Sequence, residues 1–258
     1  MVDFDMYTAF AQVYDAMMAD VDYNAWADYY RQLLAYYGLT EGKIAECACG
    51  TGSLTLALHR MGFSMTGVDL SPEMLWQASQ KARKEGIAIP FVKQDMCHLR
   101  LHRAMDAVLA TCDGVNYLLN GERVLAFFSA AFAALRPGGV LLFDISTPSK
   151  LSATLGNNLM WVDGEEFSYV WQNQYHESSR IVEMNLTIFQ RKEGEDYRRI
   201  DETQQQRAHS FDELGVWLLQ AGFSQITCFG DKHMGGPSEG EARWHIIARK
   251  PQTVPEAQ

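Results

Sequence analysis

The stretch IAECACGTGSLTLAL, residues 44–58, decides the fold of this 258-residue chain. It opens with an apolar run that suits a buried strand, passes through a loop with two cysteines and two glycines, and continues with the apolar spacing of a helix. A strand that leads through a glycine-rich loop into a helix is a frequent ligand cradle, because the helix N-terminus and the bare glycine backbone both face the loop.

The two cysteines of this loop do not indicate a metal or redox site. Cys47 and Cys49 are spaced C-x-C, without the second pair or histidines of a zinc site and without the C-x-x-C spacing of a redox pair. We expect them to be packing residues and predict no metal. The loop also lacks the P-loop sequence, and a dinucleotide fingerprint built on Gly50 and Gly52 would need a small residue where Thr55 stands.

An acidic-x-small-x-Gly-x-Gly pattern, formed by Glu46, Ala48, Gly50 and Gly52, describes the loop better. A carboxylate at the mouth of the loop is badly placed for a pyrophosphate and well placed for a ligand with a cationic head. A second acid, Asp69, ends the next predicted strand 23 residues after Glu46, where doubly wound folds bind ribose hydroxyls.

Around this loop, short apolar runs alternate with amphipathic segments. This alternation predicts a doubly wound α/β fold with a mostly parallel seven-stranded sheet. The predicted strands are 43–48, 64–70, 89–95, 105–113, 140–146, 225–230 and 244–250, and the predicted helices are 53–61, 71–83, 121–136 and 210–223.

Two segments stand outside this alternation. The first 40 residues are aromatic and helical, and between 150 and 209 apolar and polar residues alternate with a period of two, which predicts a small antiparallel β insertion. The aromatic face of the insertion either roofs a pocket or only packs onto the sheet. We expect a helical lid, an α/β core, a β cap and a tail, at 1–42, 43–149 with 210–250, 150–209 and 251–258.

The bulk composition restricts the partners of the chain. Its formal net charge of −10 makes a nucleic acid an unfavourable partner, because such binding depends on cation–phosphate contacts. The N-terminus lacks the features of a signal peptide, and no apolar run reaches the length of a membrane span. Five cysteines without framework spacing indicate a reducing compartment, so we expect a cytoplasmic protein with no membrane partner. The oligomeric state stays open between monomer and homodimer.

Five motifs resemble, in chain order, those of class I S-adenosylmethionine-dependent methyltransferases. They are ECACGTG, GVDLSPEML, FVKQDM, MDAVLATCDGVNYL and LRPGGVLLFDI, from about residue 43 to 146. The family more often has Asp and Gly where this chain has Glu46 and Ala48. The N-terminal FAQVYDAMMADVDYNAWADYY resembles the helical lid of small-molecule methyltransferases, including aminosugar N-methyltransferases and a related uncharacterised bacterial group. The resemblance implies a Rossmann-like fold, methyl transfer, and S-adenosyl-L-methionine as cofactor.

The resemblance also implies a role for each matching position in the glycine loop. Ala48, Gly50 and Gly52 would run beneath the methionyl and ribose parts of the cofactor. Glu46 would hold the loop or the methionyl amine, and Asp69 would accept hydrogen bonds from both ribose hydroxyls.

For the adenine and the methyl group, the matching positions lie on later motifs and on the lid. Leu70 and Met74 would flank the adenine, and Asp95 would accept from its amino group, unless it only caps a turn. The remaining implied cofactor contacts are the backbone N–H of Met96, the fourth-strand Cys112, and the lid residues Tyr14 and Trp26. For both lid residues the alternative is that they only pack the lid helices.

Transfer of a methyl group from a sulfonium needs mainly alignment and the exclusion of water, so a general base is optional. Tyr14 and Asp113 are the catalytic candidates, and Asn116 and His233 are further possible orienting groups.

The class of methyl acceptor is indicated by residues that are missing from the fourth motif. Enzymes that methylate nucleobase amines carry [DN]-P-P-[YFW] there, whereas this chain has CDGVNY, and Cys112 follows Thr instead of the Pro of cytosine-C5 enzymes. Together with the acidic charge this favours transfer to N or O of a small-molecule acceptor. The alternatives are an RNA or protein methyltransferase, a non-catalytic cofactor-binding module, and an NAD-dependent dehydrogenase.

Overall fold

A computed structural model describes residues 6–192, 194 and 196–252, with side chains from residue 10 onward. Its helices are α1 Met6–Met17, α2 Tyr23–Tyr36, α3 Ser53–Arg60, α4 Pro72–Lys84, α5 Gly121–Ala134 and α6 Phe211–Gln220. Its strands are β1 Lys43–Cys47, β2 Ser64–Asp69, β3 Phe91–Lys93, β4 Met105–Ala110, β5 Leu135–Ser146, β6 Leu159–Asp163, β7 Phe167–His176, β8 Ile181–Arg191, β9 Tyr197–Arg207, β10 Ser224–Phe229 and β11 Arg243–Arg249. Within the described ranges, no helix is long and apolar enough to cross a membrane.

The central sheet has seven strands in the order β3-β2-β1-β4-β5-β11-β10. The strands from β3 to β5 run parallel, and β11 runs antiparallel to both β5 and β10. The predicted doubly wound α/β fold with a mostly parallel seven-stranded sheet is therefore confirmed. The strand order changes direction between β1 and β4, and ligands of such sheets bind in the crevice outside the carboxyl ends at that point.

Both faces of this sheet are buried by helices. On one face Phe127 of α5 and Leu214 of α6 pack in a cluster with Phe143 of β5. On the other face Tyr30 and Leu33 of α2 are fully buried in a second cluster with residues of β1, β4 and β5. The strands are near-continuous apolar runs because each of their two faces lies under a helix.

A second sheet, antiparallel and of order β6-β7-β8-β9, follows the fifth strand of the core. Helix α1 covers its inner face, where Phe10 and Val13 pack with Leu186, Ile188 and Ile200. The predicted antiparallel sheet is confirmed, although its first strand begins only at Leu159. A short π-helical turn, Lys150–Leu155, precedes it.

Two predicted boundaries are wrong at the fourth and fifth strands. β4 ends at Ala110 instead of residue 113, because Cys112 (φ 53°) and Asp113 (φ 67°) adopt the left-handed conformation and turn the chain away from the sheet. Helix α5 ends at Ala134 and β5 begins at Leu135, earlier than residue 140. Pro137 cannot continue a helix and disfavours helical geometry in the residue before it, so this segment becomes extended.

Candidate active site

The glycine loop after β1 leaves its backbone open to a ligand. Ala48, Gly50 and Gly52 all have positive φ, between 53° and 72°. A Cβ atom added to Gly50 would meet nothing within 4 Å, so Gly50 borders open space, whereas a Cβ on Gly52 would lie 2.9 Å from the Ala78 side chain of α4. Gly52 is thus required for helix packing, and Gly50 permits a ligand to approach the backbone closely.

Asp69, at the end of β2, is bonded to this loop. Its carboxylate accepts hydrogen bonds from the backbone N–H of Gly50 (2.8 Å) and of Ser71 (2.9 Å). Burial raises the pKa of Asp69, although these N–H groups oppose the rise. Each carboxylate oxygen retains a further lone pair, so the group is still able to accept from two hydroxyls. Leu70 beside it is 53% exposed, and Met74 of α4 is buried under α1.

Glu46 is buried beneath the loop. Its carboxylate accepts from the hydroxyl of Thr111 at 2.9 Å and from the hydroxyl of Thr55. Burial raises the pKa of Glu46 to about 7, and the two hydroxyls oppose this shift. In the sequence Thr55 stands out only as a departure from the dinucleotide fingerprint, whereas in the structure it is a partner of the acidic residue.

Asp95 caps a turn, which is the role predicted for it as the alternative to an adenine contact. Its Oδ1 accepts from the backbone N–H of Cys97 at 2.9 Å, and both oxygens pair with Arg123 at 3.2 and 3.0 Å. Burial opposes ionisation, but this N–H group and Arg123 outweigh it and lower the pKa of Asp95. Met96 is buried in the main core cluster. A contact of Asp95 or Met96 with adenine stays a prediction.

A buried ion-pair network holds the turn after β4. Asp144 of β5 accepts from the backbone N–H of Cys112 (2.7 Å) and Asp113 (3.2 Å) and from the hydroxyl of Tyr30 (2.8 Å). Arg243 of β11 pairs with Asp144 and also with both oxygens of Asp113, at 2.6 and 3.1 Å. The chain thus keeps its two strained residues because this network over-determines the turn.

The ion-pair network makes Asp113 suited to positioning the turn instead of accepting a proton. Burial would raise its pKa, but Arg243 and Lys150 hold the pKa of this carboxyl below its usual range. Ser146 donates a further hydrogen bond to it at 2.9 Å. A carboxylate so paired is a poor proton acceptor, and its geometry suits positioning of the turn.

The two further candidates for orienting groups are also occupied. The buried Asn116 donates to the carbonyls of Ser146 and Arg207 and accepts from the N–H of Ser146, so it joins the turn after β4 to the second sheet. His233 lies on an outer loop, where it bonds Glu241 at 2.7 Å. Neither contact leaves the side chain aimed at the glycine loop.

Tyrosines of the lid meet the turn after β4. Tyr14 of α1 is half-buried, and desolvation raises its pKa, as do the nearby Tyr23, Cys112 and Tyr117. Burial also raises the pKa of Tyr23, whose neighbours include Cys112 and Glu46. Both phenols therefore stay neutral at physiological pH. Tyr23 was not among the predicted site residues, because it lacks a motif of its own.

Trp26, also assigned to the cofactor pocket, lies deeper. It packs against Tyr30 and His245, and its ring is 5.0 Å from the guanidinium carbon of Arg243 and 5.1 Å from Nζ of Lys232. These contacts agree with core packing beside the Asp113–Arg243 pair. The cofactor role of Trp26 stays a prediction.

An ionic cluster fastens the lid to the glycine loop. Asp15 of α1 accepts from the hydroxyl of Thr51 at 2.6 Å and from Nζ of Lys81 at 2.8 Å. Lys81 also donates to Thr51 and to Ser53 at the start of α3. Helix α1 is therefore bonded to the loop that it covers.

Comparison with known proteins agrees with this geometry. Residues 44–139 match a family described as a methyltransferase domain. The chain is 35% identical over 245 residues to a "putative methyltransferase" of Geobacillus sp. (strain WCH70), covering 95% of this chain and 99% of that relative. This chain is a class I S-adenosylmethionine-dependent methyltransferase.

Solved structures of other methyltransferases share its fold. A S-adenosylmethionine-dependent methyltransferase from Clostridium acetobutylicum ATCC 824 superposes with a TM-score of 0.85 and 30% identity, covering 95% of this chain and 99% of that one. The sugar N-methyltransferase KedS8 from Streptoalloteichus sp ATCC 53650 has a TM-score of 0.76 at 21% identity, covering 93% of each chain, which shows a common fold. The chain is therefore an enzyme of the methyltransferase class.

S-adenosylmethionine is the cofactor of this methyltransferase family, and the residues present fit it. The open backbone at Gly50 admits a ligand, Asp69 suits a diol, and the buried Glu46 suits a cationic amine. The hydrogen-bonding groups of these residues suit S-adenosylmethionine, as the fold does.

Proposed function

We propose that this methyltransferase transfers a methyl group to N or O of a small molecule bound between lid helix α1 and the inner face of the β7–β9 sheet. The observation that carries the proposal is the ionic cluster of Asp15, Thr51 and Lys81, which bonds the lid to the glycine loop. A loop covered in this way suits an acceptor small enough to be enclosed, in contrast to the surface of a folded protein or RNA.

The cofactor assignment extends this proposal residue by residue. Asp69 would accept from the ribose hydroxyls while it holds Gly50, and Glu46 would accept from the methionyl amine. The further positions proposed to line the cofactor are Ala48, Gly52, Leu70, Met74, Asp95, Met96, Cys112, Tyr14 and Trp26.

S-adenosylmethionine supplies a methyl group on a sulfonium, which is already activated toward displacement. The chain is therefore required mainly to align the acceptor and exclude water. The neutral phenols of Tyr14 and Tyr23 beside Cys112 are placed for alignment. Asp113 would contribute indirectly, because its pairing with Arg243 fixes the turn that carries Cys112.

The proposed organisation is a lid (1–42), a core (43–149 with 210–250), a cap (150–209) and a tail (251–258), of which residues 253–258 lie outside the described residues. Five unpaired cysteines support a cytoplasmic location.

The test follows the methyl group into a fractionated extract. The purified enzyme is incubated with methyl-labelled S-adenosylmethionine and a lysate of the source organism, which is then separated by ultrafiltration. We expect label in a filtrate compound that is chromatographically distinct from S-adenosylmethionine with the wild type, and loss of that labelled compound with Asp69→Ala. Label confined to protein or RNA in the retentate would contradict the proposal and support a macromolecular acceptor.

A further inference from the structure

Polar side chains without protein partners lie on the inner face of the second sheet. The strand register places Trp171, Leu186 and Glu202 in one row across β7, β8 and β9, and Asn173, Met184 and Gln204 in the next row. Directly opposed residues of neighbouring strands share a face, as do residues two apart along one strand. Trp171, Asn173 and Glu202 therefore point to the same side, which α1 covers.

These side chains are buried without hydrogen bonds. Glu202 is 1% exposed and Asn173 is 4% exposed. Within the described part of the chain, both carboxylate oxygens of Glu202, both amide atoms of Asn173 and Nε1 of Trp171 have no hydrogen-bond partner. Natural proteins satisfy most buried polar groups, so three orphaned groups on one face need an explanation.

The electrostatics of Glu202 agree with its isolation. Burial raises the pKa of Glu202 to about 7. The neighbouring Gln204 amide opposes this rise, although it makes no hydrogen bond of normal geometry with Glu202. A buried carboxylate without hydrogen-bond partners is strongly stabilised by a ligand that brings positive charge or hydrogen-bond donors.

The same face borders the methyl-transfer end of the site. Gln204, next to Glu202 on this face of β9, accepts from the hydroxyl of Tyr117 at 2.7 Å, and Tyr117 belongs to the turn after Cys112. On the other side of Glu202, Ile200 packs in the cluster that contains Tyr14. The orphaned groups thus lie between the lid and the turn after β4.

We propose that Glu202, Asn173 and Trp171 form the acceptor subsite, and that the acceptor is an organic amine whose ammonium group is anchored by pairing with Glu202, while the methyl group passes to an atom of the acceptor that carries a free lone pair. This inference rests on the proposed small-molecule function and specifies its acceptor. The indole N–H donates and the Asn173 amide both donates and accepts, so they suit a hydroxyl or carbonyl adjacent to the ammonium group. An O-methylated neutral or acidic acceptor does not suit this donor set.

The first test measures stability, without any ligand. The folded protein holds the Glu202 proton up to about pH 7, whereas the unfolded chain releases it near the ordinary value of 4.5, so stability falls as pH rises through this window. Glu202→Gln removes this loss, while the contribution of Glu46 is unchanged. The titratable groups packed around this face are Tyr14 and Tyr169, in the cluster that contains Ile200, and Tyr117, which is bonded to Gln204.

We expect the melting temperature of Glu202→Gln, relative to the wild type, to increase from about pH 4.5 to about pH 7 and to stay level above it. Glu183→Gln, on the outer face of β8, is the matched control and should show no such increase. A Glu202→Gln protein that is less stable than the wild type at every pH would indicate a structural role and overturn the inference.

The second test uses three matched probes at about pH 8, where Glu202 is mostly ionised. Ethanolamine, ethylene glycol and glycolate are titrated into the protein saturated with S-adenosylhomocysteine, and binding is followed by NMR. We expect ethanolamine to bind the wild type at least about tenfold more tightly than ethylene glycol, and Glu202→Gln to lose that preference. Equal binding of the two probes to the wild type, including no binding of either, overturns the inference.

The two proposals fail in different ways. If methyl label enters only macromolecules but the ethanolamine preference depends on Glu202, the proposed function fails and the cation site stands. If label enters the filtrate but the wild type does not prefer ethanolamine, only the acceptor assignment fails.

Discussion

We expect the buried Glu46 to make cofactor binding dependent on pH. Its pKa is raised from 4.5 to about 7 in the free protein, a shift that corresponds to about 3 kcal/mol in favour of the protonated form at about 1.4 kcal/mol per unit. Pairing with a methionyl ammonium requires the ionised form. Binding must therefore expel a proton from Glu46 wherever the free protein still holds it.

The magnitude follows from the pKa. At about pH 7 Glu46 is half protonated, so binding should release about half a proton, and toward about pH 5 the release should approach one proton. The affinity for the cofactor should then fall by nearly tenfold for each unit by which the pH is lowered. Most of this dependence should lie below about pH 6.

Calorimetric titration of S-adenosylhomocysteine, which carries the same methionyl amine, measures both quantities. Proton release is obtained from buffers of different ionisation enthalpy. Glu46→Gln should bind weakly with little pH dependence and release no proton from this site. A variant that retains the wild-type pH dependence, or a wild type that releases no proton at about pH 7, would refute the pairing of Glu46 with the amine.

Three further changes test the rest of the site. Asp69→Ala should weaken S-adenosylhomocysteine binding by about 2–4 kcal/mol, since it removes the proposed acceptor of two hydroxyls and the anchor of Gly50. An unchanged affinity in calorimetry would reject the ribose assignment. Arg243→Met leaves two buried carboxylates unpaired and should lower the free energy of unfolding by about 3–5 kcal/mol in urea, whereas a loss below 1 kcal/mol would show that the network is not needed. Ala48→Gly removes the strain of a positive φ and should raise the free energy of unfolding by less than about 1 kcal/mol, with cofactor binding retained. A marked loss of stability or of cofactor binding would show that Ala48 is not strained in this conformation.

The position of two acids beside the glycine loop was predictable because both residues lie near strand ends. Glu46 and Asp69 end neighbouring parallel strands, and the carboxyl ends of such strands meet at one edge of the sheet. The prediction of the fold was correct for the same reason, since apolar runs that alternate with amphipathic segments have few other ways to bury their surfaces.

The error at the end of the fourth strand has a tertiary cause that residue patterns do not reveal. Cys112 continues an apolar run, yet Asp144 binds the N–H groups of Cys112 and Asp113 and holds both residues in the left-handed conformation. The partner lies on another strand, so no pattern around residue 112 would indicate the turn.

The amino-acid sequence by itself determined the order of strands and helices, the glycine loop and the two acids beside it, because periodicity and spacing act over a few residues along the chain. Only the tertiary structure decided which groups are buried and what they face. It joined Arg243 to Asp113, fastened Asp15 of the lid to Lys81, and left Glu202 without a hydrogen-bond partner among the described residues. The strength of these interactions depends on loss of water and on distances across the folded molecule, and both exist only after distant segments have packed together.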